Sequence, residues 1–478
     1  MRKATLKRPN DPDAHIQFIA ALLEGNQISA AESASRRALK KFPDSAQISV
    51  LRAEILAKTG KFQPARHILQ KLISRTSDLA VAYLLLGVID CEQNLDEDAI
   101  SHFETAMQIE PNNHQASFFA AQLYLKKLAY DDAERTLKQT LSSFPGHIEA
   151  LKSLGELMVK TNQYKEAIGF LREVLALSQM DAQSASFLIQ AEAIADDPKV
   201  AVATAAELKP FFMESISVWE AEIFAFIRAG AYEDAIKSCD LVIAKTTSPT
   251  TAIAYKASAL VQAHRDDAAS ECLALDRYVF VGTLPIPKGY VDINAFNASL
   301  VSQISENESL ADHASNRSLI NASDTLELFT GEETGAVKAL RTSIRMFVEN
   351  YIATLDDAVE HPFIWSKPAE FRIEAWANVY TRSGKQLAHF HPPAYLSGVY
   401  YPKVPENLTV NSLGEQEGAL QLGRSYYRLQ ATREVDVREI MPAGGSIIVF
   451  PGYVGHNTVP IMSSEETRVS VAFNVIAH

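Results

Sequence analysis

Cysteine, long apolar runs and excess positive charge are all scarce in this chain, and each scarcity removes a class of protein. Three cysteines, Cys91, Cys239 and Cys272, are scattered over 478 residues with no C-x-x-C spacing. Buried free thiols are therefore expected rather than a disulfide framework. No stretch approaches the roughly 20 consecutive apolar residues of a membrane helix. The basic residues Arg2, Lys3, Lys7 and Arg8 are not followed by an apolar run of the kind a secretory leader needs. A cytoplasmic protein with no membrane association is the expectation. Lys and Arg total 45 against 58 Asp and Glu, a net charge of −13 with no basic stripe. That balance opposes binding to a phosphate backbone, so nucleic acid is not an expected partner.

The length and a hydrophobic content of 47% suffice for two sizeable cores. The first half is periodic. Alanine recurs at Ala31, Ala65, Ala99, Ala133, Ala167, Ala201, Ala235 and Ala269, a spacing of 34 without a slip. One alanine is merely a good helix former, but eight in register mark a small-residue position where the second helix of a hairpin crosses the first closely. Around that register lie Tyr83, Leu86-Gly87, Phe103, Ala106 and Pro111, then Tyr130 and Pro145, Leu154-Gly155 and Tyr164, and Trp219, Gly230 and Tyr232. Over about residues 12–275 this pattern resembles the tetratricopeptide repeat, most closely in the third to fifth units and least in the sixth and eighth. The resemblance implies an all-α solenoid of about eight 34-residue repeats over residues 1–273, with a groove that takes a peptide or protein partner. The other use of such an array is as a spacer, or as an arm that makes a homodimer.

Residues 276–289 replace helical periodicity with extended apolar residues and prolines, so a second domain is expected over 274–478. Within it, 291–304 reads as a helix, 306–321 as a polar loop and 335–355 as a long amphipathic helix. The polar stretches 402–418 and 424–439 are candidate lid loops, because substrate selection is commonly built into loops.

The chemistry is concentrated near the end of the chain. His389-Phe390-His391 precedes an apolar run. Residues 441–445 read as a turn, 446–450 as a buried strand, and His456 follows. Side chains at i and i+2 of a strand project to one side, so His389 and His391 can converge on one point that His456 reaches from a different strand. Fe(II) held by about three protein ligands, with positions left open, needs such an arrangement. Arg468 comes next, in the alternating run 467–474. A guanidinium in a dry pocket is a natural grip for a carboxylate. Asn378 and Tyr380 share a strand face with Trp376, a face that either lines a pocket or packs in the core.

Residues 371–475 resemble the 2-oxoglutarate and Fe(II)-dependent oxygenases, near the prolyl-hydroxylase-like branch and similar to a bacterial and phage subfamily. The resemblance rests on Trp376-Ala-Asn-Val-Tyr380, Gly384, His389-Phe-His391, Leu396-Ser-Gly-Val-Tyr-Tyr401, Gly418-Ala-Leu420, Gly444-Gly-Ser-Ile-Ile-Val-Phe-Pro451, His456 and Arg468-Val-Ser-Val-Ala-Phe-Asn474. It implies a double-stranded β-helix, or jelly roll, with its core at about 371–478. It also implies Fe(II) bound by His389 and His456, and 2-oxoglutarate held by Arg468 with help from Tyr401 and a second contact at Ser470. One departure stands out: His391 occupies a slot where the superfamily usually has Asp or Glu. An imidazole there removes one negative charge from the metal's surroundings. His391 is either a third nitrogen ligand or stands aside for water, and no carboxylate lies between Gly384 and Tyr401 to replace it.

The expected activity is a 2-oxoglutarate-dependent dioxygenase that hydroxylates a protein or peptide recruited by the repeats. Two alternatives stand beside it: a repeat scaffold with an inactive oxygenase-like barrel, and a three-histidine metal dioxygenase that does not use 2-oxoglutarate.

Overall fold

The computed structural model describes residues 8–178, 181–195, 197–311 and 318–477. Arg2, Lys3 and Lys7, and positions 312–317 of the polar stretch 306–321, lie outside the described residues. The chain divides into two compact units, residues 1–157 and 158–478.

The 34-residue register becomes a series of helical hairpins. These are α1 (Pro12–Glu24) with α2 (Ile28–Lys41), α3 (Ala46–Lys58) with α4 (Phe62–Ile73), α5 (Ala80–Glu92) with α6 (Asp96–Ile109), and α7 (His114–Lys126) with α8 (Tyr130–Ser143). There follow α9 (Ile148–Lys160) with α10 (Tyr164–Leu177), α11 (Ala182–Ala195) with α12 (Pro198–Leu208), α13 (Ile216–Arg228) with α14 (Tyr232–Lys245), and α15 (Thr250–Gln262) with α16 (Asp266–Leu273). Each register alanine is the fourth residue of its second helix, and all eight are 0% exposed. That burial fits a close helix crossing at each of these positions. The same crowding explains Gly87: a Cβ at that position would meet the Phe103 ring at 2.5 Å.

A second 34-residue period lies in the backbone. Asn26, Gly60, Asn94, Leu128, Asn162, Gly230 and His264 all have φ between 53 and 76°. Each sits two residues before its second helix, where a left-handed residue ends the first helix and lets the chain turn back. Glycine and asparagine adopt that conformation readily; Leu128 and His264 do so at a steric cost.

In the second unit the repeat core runs without a break into that of the β-region, from Ile223, Tyr255 and Leu260 to Tyr400, Phe450 and Phe473. Helix α15 shows why: every residue from Thr250 to Gln262 except Lys256 is buried. Its polar ends are satisfied by the β-region. Thr250 Oγ1 donates to the Ala394 carbonyl at 3.1 Å. Gln262 donates to the Arg433 carbonyl at 2.9 Å and accepts from the Thr432 amide at 3.1 Å. Arg433 in turn grips Asp266 on α16 through two contacts of 2.7 and 2.8 Å.

The β-region follows as α17 (Leu275–Tyr278), β1 (Phe280–Thr283), α18 (Ile293–Ser305), β2 (Leu319–Asp324), α19 (Gly335–Ala353), α20 (Pro362–Trp365), β3 (Phe371–Gln386), β4 (Leu396–Lys403), β5 (Leu420–Leu422), β6 (Arg438–Ile440), β7 (Ser446–Pro451), β8 (His456–Thr458) and β9 (Arg468–Ala477). One sheet has the order β1-β7-β4-β9-β3-β2 and the other β6-β5-β8. All pairings are antiparallel, as a jelly roll requires. Two local expectations need correction. Residues 319–321 of the presumed polar loop belong to β2, whose pairing with β3 outweighs their polar composition. The H-x-H segment is not part of a continuous strand. It is extended, with His389 bridged only to His456, because Pro392 and Pro393 lack the amide donors that would continue a ladder.

Candidate active site

Pairing of β3 with β9 sets Tyr380 opposite Arg468 and Asn378 opposite Ser470. Alternation then turns Trp376, Asn378 and Tyr380 from β3, and Arg468 and Ser470 from β9, into one narrow cavity between the sheets. Tyr401 from β4 enters the same cavity, as do His391 and His456.

The three histidines meet at one end. His389 and His456 exchange backbone hydrogen bonds of 3.0 and 2.8 Å, and the His391 amide donates to the Gly452 carbonyl at 3.1 Å. Their rings lie 4.2 to 5.2 Å apart. One ligand nitrogen from each falls within 4.8 Å of the others. Two nitrogens on a single ion are at most about 4.2 Å apart, twice a metal–nitrogen bond of roughly 2.1 Å. Three nitrogens on one face of an ion lie closer still, roughly 3.0–3.4 Å apart for the same bond length, so the rings must draw together to share one.

Burial keeps these imidazoles neutral, the form that binds metal. It lowers His389 to about 4. His391 is held well below its ordinary value by burial and then by His389, and His456 by burial and then by His389 and His391. The Nδ1 atoms of His389 and His456 lie 2.8 and 3.0 Å from the Leu387 and Val454 carbonyls. A carbonyl only accepts, so each Nδ1 carries its proton and each Nε2 presents a lone pair. Gly455 fixes the approach to His456. A Cβ there would sit 1.8 Å from the Arg424 carbonyl oxygen, so the two backbones touch.

At the other end Arg468 is 1% exposed. Its guanidinium lies 4.1 Å from the centre of the Tyr380 ring, and Nη1 donates to the Gly418 carbonyl at 3.1 Å. Its Nε has no partner, and neither has Asn378 Oδ1 in the same cavity. Among the described residues no carboxylate pairs with this cation. A buried guanidinium with a free donor is expensive unless an anion completes it.

The family described as "Putative 2OG-Fe(II) oxygenase" matches residues 374–474. Models described as "Tetratricopeptide repeat" match residues 18–80, 97–145 and 129–190. The chain joins tetratricopeptide repeats to a domain that matches this oxygenase family. A search of curated proteins finds no match. Among solved structures, the chain is similar to PilF of Pseudomonas aeruginosa, with 19% identity, 44% of this chain and 95% of that one covered, and a TM-score of 0.39. It is also similar to YrrB, described as a TPR protein with an unusual peptide-binding site, with 18% identity, 39% and 95% covered, and a TM-score of 0.36.

A cleft of about 370 Å³ opens at His389 of the oxygenase domain. Repeat residues Ser186, Gln190, Glu220, Thr251 and Tyr255 form one wall, and Phe390, Tyr426 and Arg428 form the other. Phe390, the middle residue of H-x-H, sits between two rings: Tyr255 of α15 at 5.8 Å and Tyr426 at 5.6 Å. Stretch 424–439 thus borders this cleft, whereas 402–408 lines a separate groove with α18.

Several residues of the site carried no signal in the sequence. Phe390 and Tyr255 are ordinary aromatics until the fold pairs them. Gln386 receives the Tyr380 hydroxyl at 3.4 Å. Asn474 and Ser397 contact each other at 2.9 Å behind His391. Asn474 alone had a cue, since strand alternation puts it on the face of Arg468 and Ser470.

Proposed function

We propose that this protein is a non-haem Fe(II), 2-oxoglutarate-dependent dioxygenase that hydroxylates a protein or peptide recruited by its repeats. In this reading His389, His391 and His456 hold the metal. Arg468 takes the distal carboxylate of 2-oxoglutarate, with Tyr401, Ser470 and Tyr380 around it. Bound together, metal and cosubstrate would supply the oxidation of a C–H bond by O₂, with 2-oxoglutarate converted to succinate and CO₂. The chain's own residues exclude water, orient the cosubstrate and keep three imidazoles neutral. The observation that carries the oxygenase reading is the buried Arg468, whose Nε has no partner, in one cavity with His391 and His456. A barrel without catalysis has no use for that cation.

The cleft supports a polypeptide substrate. Its repeat wall offers hydroxyls and an amide suited to a peptide backbone, and its volume lies in the range of ligand sites. We take residues 1–273 as the recruiting array and 274–478 as the oxygenase region, and place the protein in the cytoplasm, a reading supported by its three free thiols. No described helix is long and apolar enough to cross a membrane.

The test supplies Fe(II), 2-oxoglutarate and oxygen-18 to the full chain together with a peptide library. The reading expects peptides that gain one labelled oxygen, and Gln190→Trp, which fills the cleft, should suppress this while leaving 2-oxoglutarate binding intact. If 2-oxoglutarate is consumed but only small molecules are oxidised, the polypeptide reading fails. If it is not consumed at all, the oxygenase reading fails.

A further inference from the structure

His391 differs from its two neighbours in what holds it. The Nδ1 atoms of His389 and His456 face backbone carbonyls, which can only accept, so their tautomers are fixed. His391 Nδ1 faces a side-chain amide instead, that of Asn474 at 3.3 Å. The other arm of that amide lies 2.9 Å from the Ser397 hydroxyl. Asn474 is 6% and Ser397 2% exposed, so little solvent reaches this trio to substitute for a lost partner.

An amide can present either end. With Nδ2 toward His391, the ring must accept at Nδ1, and its own proton sits on Nε2, the nitrogen left to serve as a ligand. An Nε2–H cannot bind a cation. With the amide turned over, Oδ1 accepts from Nδ1–H and Nε2 presents a lone pair. Ser397 satisfies both arrangements, since its hydroxyl rotates from donating to Oδ1 to accepting from Nδ2. The two states therefore satisfy the same hydrogen bonds and differ in one respect, whether His391 is a ligand. A cation binds only one of them and selects it.

We propose that Asn474, backed by Ser397, is the positioning residue that sets the His391 tautomer, and that metal binding turns its amide oxygen to His391 and makes that histidine the third nitrogen ligand. This rests on the reading of the three histidines as a metal site. It answers how an imidazole serves where a carboxylate is usual: a charged ligand needs no tautomer, whereas this one needs a partner that accepts its proton. Removing such partners from metal-bound histidines typically lowers metal affinity about 10- to 100-fold.

The experiment uses the full chain with Co(II) for affinity and Zn(II) for nitrogen-15 NMR of labelled histidines. Asn474→Ala should lower Co(II) affinity about 10- to 100-fold, and it should add almost nothing in a His391→Ala background. Asn474→Asp, which introduces a group that only accepts, should keep affinity within a few-fold of wild type and so also control for folding. In the Zn(II) form, His391 should carry its proton on Nδ1. The inference is overturned if His391 Nδ1 is unprotonated in the Zn(II) form, or if Asn474→Ala weakens Co(II) equally with and without His391. It also falls if His391→Ala leaves Co(II) affinity unchanged. Absence of metal binding by the wild type would remove the metal-site reading as well, and so separates the two failures.

Discussion

Replacing Arg468 by Met should separate a cosubstrate clamp from a structural strut. Arg468 is 1% exposed, leans on the Tyr380 ring and leaves Nε unpartnered. The cation–π contact is worth about 2 kcal/mol when desolvated, and the unmet desolvation of a buried cation is at least as large. The two offset, so Arg468→Met should change the stability of the free protein by no more than about 1 kcal/mol. Its effect on 2-oxoglutarate should be much larger. Breaking a buried charge pair costs about 3–5 kcal/mol, a loss of affinity of at least about 100-fold. At 2-oxoglutarate 100 times the wild-type Kd, binding stabilises the wild type by about 2.7 kcal/mol and the variant by about 0.4 kcal/mol or less. For the second unit of about 320 residues, the unfolding entropy is near 0.7 kcal/mol/K. A thermal shift of about 4 °C should therefore shrink below about 1 °C, measured with Mn(II) present under nitrogen. The reasoning is refuted if the variant keeps the full shift. It is also refuted if the free variant loses more than about 3 kcal/mol, for then Arg468 holds the fold together.

Three further perturbations bear on other parts of the account. Glu220 is half-buried and burial raises it to about 7, with the Thr251 hydroxyl offsetting part of the shift; because the folded state favours the neutral acid, stability is full below about pH 4.5 and falls as pH rises toward 7. Glu220→Gln should match wild type at pH 4 and exceed it by about 1–2 kcal/mol at pH 8 in chemical denaturation, and an equal difference at both pH values would contradict this. Leu128 adopts φ of 59° at a cost of about 1–2 kcal/mol, so Leu128→Asn should stabilise the first unit by roughly 1 kcal/mol, whereas a net loss would mean that its side-chain packing outweighs the strain. Tyr255→Ala removes one of the two rings that clamp Phe390, a contact worth about 0.5–1.5 kcal/mol, and should weaken Co(II) binding several-fold; unchanged affinity would show that the repeats do not brace the H-x-H segment.

The periodic part of the molecule was legible because its constraint is local. A register alanine every 34 residues reports one close helix crossing per hairpin, and each of the eight is buried as that reasoning requires. The backbone period at Asn26, Gly60 and Asn94 was equally present in the sequence, but Leu128 and His264 break its residue pattern and hide it. In the oxygenase domain, strand alternation put Trp376, Asn378 and Tyr380 on one face and Arg468 with Ser470 on another. The pairing of those two faces across β3 and β9 is what brings them together. Contacts between distant segments left no trace: Tyr255 against Phe390, Arg433 on Asp266, and the Ser397–Asn474 pair behind His391 all depend on which surfaces meet. The prolines after His391 are visible in the sequence, but the apolar run that follows them masks their effect on strand continuity.

The central claim is that His389, His391, His456 and Arg468 form a site for Fe(II) and 2-oxoglutarate. Anaerobic titration of the full chain with Fe(II) and then 2-oxoglutarate, followed by visible absorption, addresses it most directly. The account expects a weak band, characteristic of a keto acid chelated to Fe(II), that appears only when both are present and saturates at one equivalent of iron. Iron binding with no such band at any 2-oxoglutarate concentration would contradict it.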